Sequence, residues 1–327
     1  MAVIAGTVQR YDRQGLRESL SDRIYNVDPS DTPLVSMIGV GPKAKQTLEE
    51  WQTDSLRAPA SNAQVEGDQF EYTTPAATVR VANYTQILRE TASVSDTVEA
   101  VDKAGRKSEM AYQIMKKGLE IRLDLEYAVV GAHQAAAAGG AGVGRQFAGL
   151  DSWVRSNTDY DTSDVGANPG ATAGVPPATR VDSTAVHAFT ETVAKSVLSQ
   201  GYANGAKFSV LMVGPFNKQR VSETFTGIVT RNFDISNVDP RPTAAIAAID
   251  VYVHDFGVLR VVPNRVQRER DAWFINPEFA EMRYLRPFRT KRLADISDGM
   301  QKAVIAEVTL TVLNEQALGG AFDLEAA

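Results

Sequence analysis

Residues 103–133, KAGRKSEMAYQIMKKGLEIRLDLEYAVVGAH, decide how the rest of the chain is read. Met110, Ile114, Ile121, Leu125, Ala128 and Ala132 recur at spacings of three, four and seven, and Ala111, Met115 and Leu119 widen the stripe. Lys107, Lys116, Lys117, Glu120, Arg122, Asp124 and Glu126 occupy much of the remaining circumference. The pattern predicts one amphipathic helix, a rod of roughly 45 Å at 1.5 Å per residue. Gly118 interrupts it at about 1 kcal/mol relative to alanine, which is tolerable where a neighbouring backbone or strand comes close.

Ahead of this rod, residues 1–100 are polar and punctuated and lack a compact core pattern. Asp28-Pro29-Ser30-Asp31-Thr32-Pro33 predicts a turn and a helix start, with Ser30 or Asp31 as cap and Pro33 in the first turn. Leu34, Val35, Met37 and Ile38 form a short apolar knot stopped by Gly39 and Gly41-Pro42, an anchor that must dock elsewhere. Residues 45–91 predict two long strands, one around Thr47–Thr53 and a return from Thr78 to Leu88, separated by turn-forming Ala58-Pro59-Ala60-Ser61-Asn62 and Glu66-Gly67-Asp68. A lone two-stranded hairpin is marginal in water, so its faces are expected to rest on another subunit.

Beyond the rod, Gly139–Gly144 predicts a hinge, and a Ser/Thr/Asp/Gly/Pro-rich loop runs to Thr179. Thr184–Gln200 is expected to be helical, closed by Gly201; Phe208–Val213 is a continuous apolar run suited to a buried strand. Gly214-Pro215 opens a further helix to about Phe225, and Val251–Phe256 with Val258–Val262 predicts a hairpin around Gly257. This stretch is an α/β unit. The tail returns to strand: Trp273–Ile275, an arginine-rich run from Met282 to Leu293, and an alternating half-buried strand through Val304, Ala306, Val308, Leu310 and Val312.

Composition excludes several chemistries. There is no cysteine, hence no disulfide, thiolate nucleophile or cysteine-based metal site. The net charge of −6 gives no general reason to bind nucleic acid. No run approaches 18 apolar residues, so no helix is expected to span a membrane, and the start of the chain lacks the features of a signal peptide. Gly139–Gly144 ends in Arg145-Gln146 where a phosphate loop needs Gly-Lys-Ser/Thr. Asp159, Asp161 and Asp164 fail the calcium-loop spacing, because Gly170 holds the twelfth position. His133, His187 and His254 lie far apart, outside any metal or triad motif, and Glu49/Glu50 and Asp124/Glu126 suit ion pairs or solvated charge. No catalytic residue, metal site or cofactor is expected. Arg283–Arg292 suits either packaged DNA or acids on a neighbouring subunit, and the interface is preferred.

Four stretches carry a family likeness: Tyr11-Asp12 through Arg17-Glu18-Ser19-Leu20-Ser21-Asp22 with Ile24-Tyr25 and Asp31-Thr32-Pro33; Glu50-Trp51-Gln52-Thr53-Asp54-Ser55-Leu56; residues 103–134; and Glu307-Val308-Thr309-Leu310 with Asn314-Glu315. In this order they resemble the major capsid proteins of tailed bacteriophages. The resemblance implies an α+β, HK97-like fold. Its parts would be an N-terminal arm (1–44), an extended β-hairpin loop (45–91), a peripheral domain with the spine helix (92–138), an α/β axial domain (139–270) and peripheral C-terminal strands (271–327). It implies a structural protein, not an enzyme, forming pentamers and hexamers of an icosahedral head around double-stranded DNA. Expected partners are further copies, packaged DNA without sequence preference, and separate scaffold, portal and cement proteins. The expected locations are the virion and, during assembly, the host cytoplasm. An encapsulin-like shell protein is the alternative, and a soluble hydrolase the rival from another class.

The prototype of the family crosslinks an extended-loop lysine to a neighbour's asparagine. Residues 51–102 contain no lysine, so a non-covalent shell is expected. No fused scaffolding segment is seen ahead of the loop. The residues expected at contacts between subunits are Ile24 and Tyr25 on the arm, Trp51 and Tyr84 on the loop, and Arg286 and Arg289 at the periphery.

Overall fold

The computed structural model describes residues 28–70, 72, 74–160, 171, 173–225, 250–294 and 298–326. In chain order the elements are α1 (Pro33–Met37), β1 (Gly39–Val40), β2 (Leu48–Thr53), β3 (Val79–Tyr84), β4 (Gln86–Val94), α2 (Asp96–Ala100), α3 (Glu109–Val130), β5 (Thr158–Asp159), α4 (Glu191–Ala203), β6 (Val210–Val213), α5 (Pro215–Thr224), β7 (Val251–His254), β8 (Gly257–Pro263), β9 (Ala272–Ile275), β10 (Ala280–Arg292), β11 (Met300–Val312) and β12 (Gly319–Ala321).

They form three sheets: β1-β10-β11-β4, β5-β12-β9-β6-β8-β7 and the pair β2-β3. The stretch 271–327 is thus divided between two sheets, with β10 and β11 in the first and β9 and β12 in the second. The return run of the extended loop is likewise divided at Thr85. Before it, β3 pairs with β2; after it, β4 pairs with β11.

The long helix α3 is shorter than its pattern predicts, 22 residues from Glu109 to Val130, or about 33 Å at 1.5 Å per residue. Gly105 takes a positive φ of 76°, and the Ser108 hydroxyl accepts from Ala111 N–H, so the helix starts at a true N-cap. At Gly118 no described residue beyond its own turns of helix lies within 4 Å of where a Cβ would stand, and exposed Met115 and Leu119 flank it.

The helix α3 lies over β4 and β11. Ile121, Leu125, Ala128 and Val129 pack there with Leu88, Val304, Val308 and Leu310 in a first core that also takes in Leu34, Ile38, Phe147, Leu150 and Trp153. A second core gathers Val197 and Leu198 of α4, Val221 of α5, and Leu259 and Val261 of β8. The two cores share a wall. Alternate residues of β6 and β9 point to opposite faces: Val210, Met212, Trp273 and Ile275 enter the first core, Leu211, Val213, Ala272 and Phe274 the second. Burial on both faces is why these strands are uninterrupted apolar runs.

Three local expectations are corrected. Gly201 does not end α4. It lies inside the helix, where a Cβ would strike the Phe208 ring at 2.2 Å, and the helix ends at Asn204. It begins at Glu191, seven residues later than expected, because Thr190 caps it by accepting from Val193 N–H. The strand β11 is not half-buried: covered on both faces, it buries Glu307, Thr309 and Thr311. The glycine run folds into a narrow turn bridged at Ala137–Gln146 and Gly140–Val143, and Phe147–Val154 returns to the first core.

Candidate assembly interface

The extended loop is fixed at its root. Asn83 is fully buried; its amide donates to the carbonyls of Leu310 (2.7 Å) and Ala148 (3.3 Å), and its carbonyl accepts from Ala148 N–H (2.8 Å). Thr85 donates to Glu307 at 2.9 Å. Glu307 in turn holds Arg145 at 2.6 Å and Arg286 at 2.7 Å, a carboxylate saturated by cations and a hydroxyl. Arg283 is bound between Glu49 (3.0 Å) and Glu281 (3.2 Å). On the same face of the root, Trp51, opposite Val81, packs against Trp153 with ring centroids 5.3 Å apart.

The tip is the opposite. Every described residue from Asp54 to Arg80 is exposed. Leu56, Tyr72 and Phe70 are 99%, 96% and 87% exposed, and Val65 stands beside them in sequence. Asp54, Glu66, Asp68 and Glu71 make the tip acidic in sequence against two cations, Arg57 and Arg80.

The base of the N-terminal arm is held by the long helix. In α1 the Thr32 side chain makes no cap, and neither Ser30 nor Asp31 supplies one. Buried Glu126 of α3 reaches across instead, accepting from Leu34 N–H (2.9 Å), Val35 N–H (2.8 Å) and the Asn264 amide (2.6 Å). Burial raises the Glu126 pKa despite these bonds. One carboxylate thus joins the arm base, the helix and the connection after β8.

A second polar cluster lies where the two cores meet. The Arg180 guanidinium, 1% exposed, donates to Asp323 (3.0 Å), Asp182 (2.8 Å) and Asp271 (3.3 Å) and covers the Phe322 ring at 4.4 Å. Arg270 also reaches Asp323 at 3.2 Å. Arg268 pairs with Asp182 and lies 3.6 Å from Asp151 and 3.7 Å from Asp271. His133 completes the group, 2.7 Å from Asp151. Burial pushes Asp271 up to about 7; the Asp151 hydrogen bond raises His133. Asp182 is pulled up by burial but falls below the ordinary range because Arg268 and Arg180 outweigh that effect.

Of the residues singled out by sequence, Ile24 and Tyr25 lie outside the described residues, as do the other arm residues up to 27 and most of the Asp159–Asp164 loop. Trp51 and Tyr84 are half-buried at the root, Trp51 opposite Val81 and Tyr84 opposite Leu48. Arg286 has its acid, Glu307, in its own chain, whereas Arg289 is exposed opposite Ile305. A shift of register around Pro287, which lacks an N–H for the ladder, separates the two. Sequence reasoning missed Asn83, Glu126, Glu307 and the Arg180 cluster. The signal for Glu126 was present: Val129 and Val130, three and four residues on, share its side of the helix. Asn83-Tyr84-Thr85, which matches a glycosylation acceptor, is a buried structural joint. Among the described residues no group of His, Asp or Glu is arranged to hold a metal ion, and no helix is long and apolar enough to cross a membrane.

Comparison with known proteins agrees over nearly the whole chain. The family model described as SU10 major capsid protein matches residues 3–325. The major capsid protein of Escherichia phage Phieco32 is 44% identical over 117 residues, 36% of this chain and 33% of its own length, so the match spans a third of that relative. In solved structures, a capsid chain of cyanophage A-1(L) superposes with a TM-score of 0.67 at 11% identity, covering 94% of this chain and 97% of the other. The capsid of cyanophage P-SCSP1u gives 0.60 at 11% identity, covering 95% and 93%. At such identities the likeness is one of fold, the HK97-like capsid fold.

Proposed function

The chain belongs to the SU10 major capsid protein family, and from that premise we propose that it is a non-enzymatic shell subunit. Its copies assemble as hexamers and pentamers into an icosahedral head around double-stranded DNA, without covalent links between them. The observation that carries this reading is the contrast within the extended loop. A root held by Asn83, Thr85 and Trp51 projects a tip whose Leu56, Val65, Phe70 and Tyr72 are left uncovered by the described residues. Aromatic side chains so exposed on a fixed support suit an interface. Met115 and Leu119 beside Gly118 offer a second such surface on the long helix.

In this reading residues 1–44 are the arm, 45–91 the extended loop, 92–138 and 271–327 the peripheral domain, and 139–270 the axial domain. β9 and β12 carry the tail into the axial sheet. Ile24, Tyr25, Trp51, Tyr84 and Arg289 serve contacts between copies; Arg286 is engaged by Glu307 and acts there through its partly exposed edge. Separate scaffold, portal and cement proteins complete the head, which is built in the host cytoplasm. Arg283 and Arg286 are neutralised inside the chain, which leaves fewer cations for DNA and favours a protein neighbour for Arg289. No observation favours the encapsulin alternative. Electron micrographs of the purified protein should show rings and shells, and denaturing gels of those particles a single band near 35.4 kDa. A lone compact subunit under all assembly conditions overturns the shell reading; a ladder of linked subunits overturns the non-covalent one.

A further inference from the structure

His133 stands three residues beyond α3, in the left-handed region with φ of 48°, which Asp323 of the same cluster shares at 56°; histidine and aspartate enter this region more readily than most residues other than glycine. The His133 ring nitrogens are under different demands. Nε2 lies 2.7 Å from the Arg180 carbonyl, which only accepts, so Nε2 carries a proton. Nδ1 faces two groups at once: Asp151 Oδ2 at 2.7 Å, which needs a proton on Nδ1, and the Arg268 guanidinium, which needs a bare lone pair. Both cannot be satisfied in one protonation state.

Charge counting leaves room for one proton. The cluster holds Asp151, Asp182, Asp271 and Asp323 against Arg180, Arg268 and Arg270. With every carboxyl ionised it is one proton short of neutral, and two groups can take that proton: His133, its only imidazole, and Asp271, which burial pushes up to about 7. The charged groups facing His133 are Asp151 from the turn at Leu150–Ser152, Asp182 from the segment after Arg180, and Arg268 and Asp271 from the β8–β9 connection. The His133 side chain is 25% exposed, so its proton exchanges with solvent.

We propose that His133 is a proton-operated latch between the long helix and the six-stranded sheet: protonated at Nδ1 it binds Asp151 and releases Arg268, and deprotonated it accepts from Arg268. Arg268 belongs to the connection whose Asn264 holds Glu126 of α3 and whose Gln267 holds the Met212 carbonyl of β6. A change at Nδ1 is therefore passed to both bodies. The latch stands on intrachain geometry and is independent of the shell reading.

The chain has three histidines, so full-length protein labelled at histidine Cε1 gives three carbon signals, and the one missing from His133→Asn is His133. Its titration midpoint should lie above the ordinary 6.5. Asp151→Asn removes the group that needs the proton and should lower the midpoint by about one unit, whereas Arg268→Met removes the competing cation and should raise it by about one unit. Opposite shifts from two neighbours of one nitrogen are not produced by general loosening. Shifts of the same sign, or none, overturn the proposal. Hydrogen–deuterium exchange needs neither charge-deleting variant. After correction for intrinsic rates, the peptide over 264–271 should exchange faster at pH 5.5 than at pH 8 in the unaltered chain, and this difference should shrink in His133→Asn, where Asp271 still titrates; an undiminished difference in His133→Asn overturns the latch. Equal exchange in the unaltered chain also overturns it.

Discussion

At the root of the extended loop the side chains of Asn83 and Thr85 are satisfied within the chain and the large side chains are covered, while the buried indole N–H groups of Trp51 and Trp153 have no partner among the described residues. Asn83 bonds Leu310 and Ala148, Thr85 bonds Glu307, and Trp51 lies on Trp153. Some twenty residues further out the same loop presents Phe70 and Tyr72 to water with nothing on them. Asn83, Thr85 and Glu307 obey the rules of a protein interior, where buried polar groups find partners. The tip obeys the rules of an interface, where apolar area waits for its complement. One hairpin thus separates two tasks: the root makes the subunit, the tip joins subunits. The division is testable, because a change in either region should be silent in the other's assay.

The largest effect on the subunit alone should come from Asn83→Leu. It strands a buried N–H at Ala148 and weakens two carbonyl contacts, at about 1–3 kcal/mol for each group left unsatisfied. We expect urea denaturation of the unassembled chain to show a loss of about 4 kcal/mol. A loss below about 1 kcal/mol would mean that the root is not an anchor and the contrast fails. Trp51→Ala comes next. Full tryptophan truncation in a core costs about 3–5 kcal/mol, and half-burial reduces this to about 2–3 kcal/mol, read as a lower urea midpoint with unchanged slope. This variant sharpens the comparison. If Trp51 serves only neighbours, the isolated subunit keeps its midpoint and assembly alone suffers.

The sequence shows the tip more plainly than the root. Hydrophobic periodicity exposes the long helix, the buried run of β6 and the β7–β8 hairpin, because burial of one face or both repeats along the chain. The turn-rich, lysine-free tip is legible for the same reason: local chemistry fixes it. The root is not local. Asn83 meets Leu310 across 227 positions, and Thr85 meets Glu307 across 222. Nothing beside either residue announces its partner. Glu307 misled for this reason: alternation with Val308 suggested a solvent face, but that face is closed by Thr85, Arg145 and Arg286 brought from elsewhere. The start of α3 is the reverse case. Gly105 and Ser108 were readable in place, and the apolar spacing alone overran them.

The smallest effect on stability belongs to the tip, and it is the one that separates the two tasks most cleanly. Phe70→Ser combined with Tyr72→Ser removes two rings that lie exposed, without cover from the described residues. Surface changes away from buried contacts fall within about 0.5 kcal/mol, so urea midpoints should coincide with those of the unaltered subunit. Assembly followed by light scattering should nevertheless fail, since aromatic anchors carry a large share of interface energy and each is lost at every copy of a symmetric shell. The opposite result, a destabilised subunit that still forms shells, would place the rings inside the fold and assign assembly to another surface, with the Met115–Leu119 flank of the long helix the next to test.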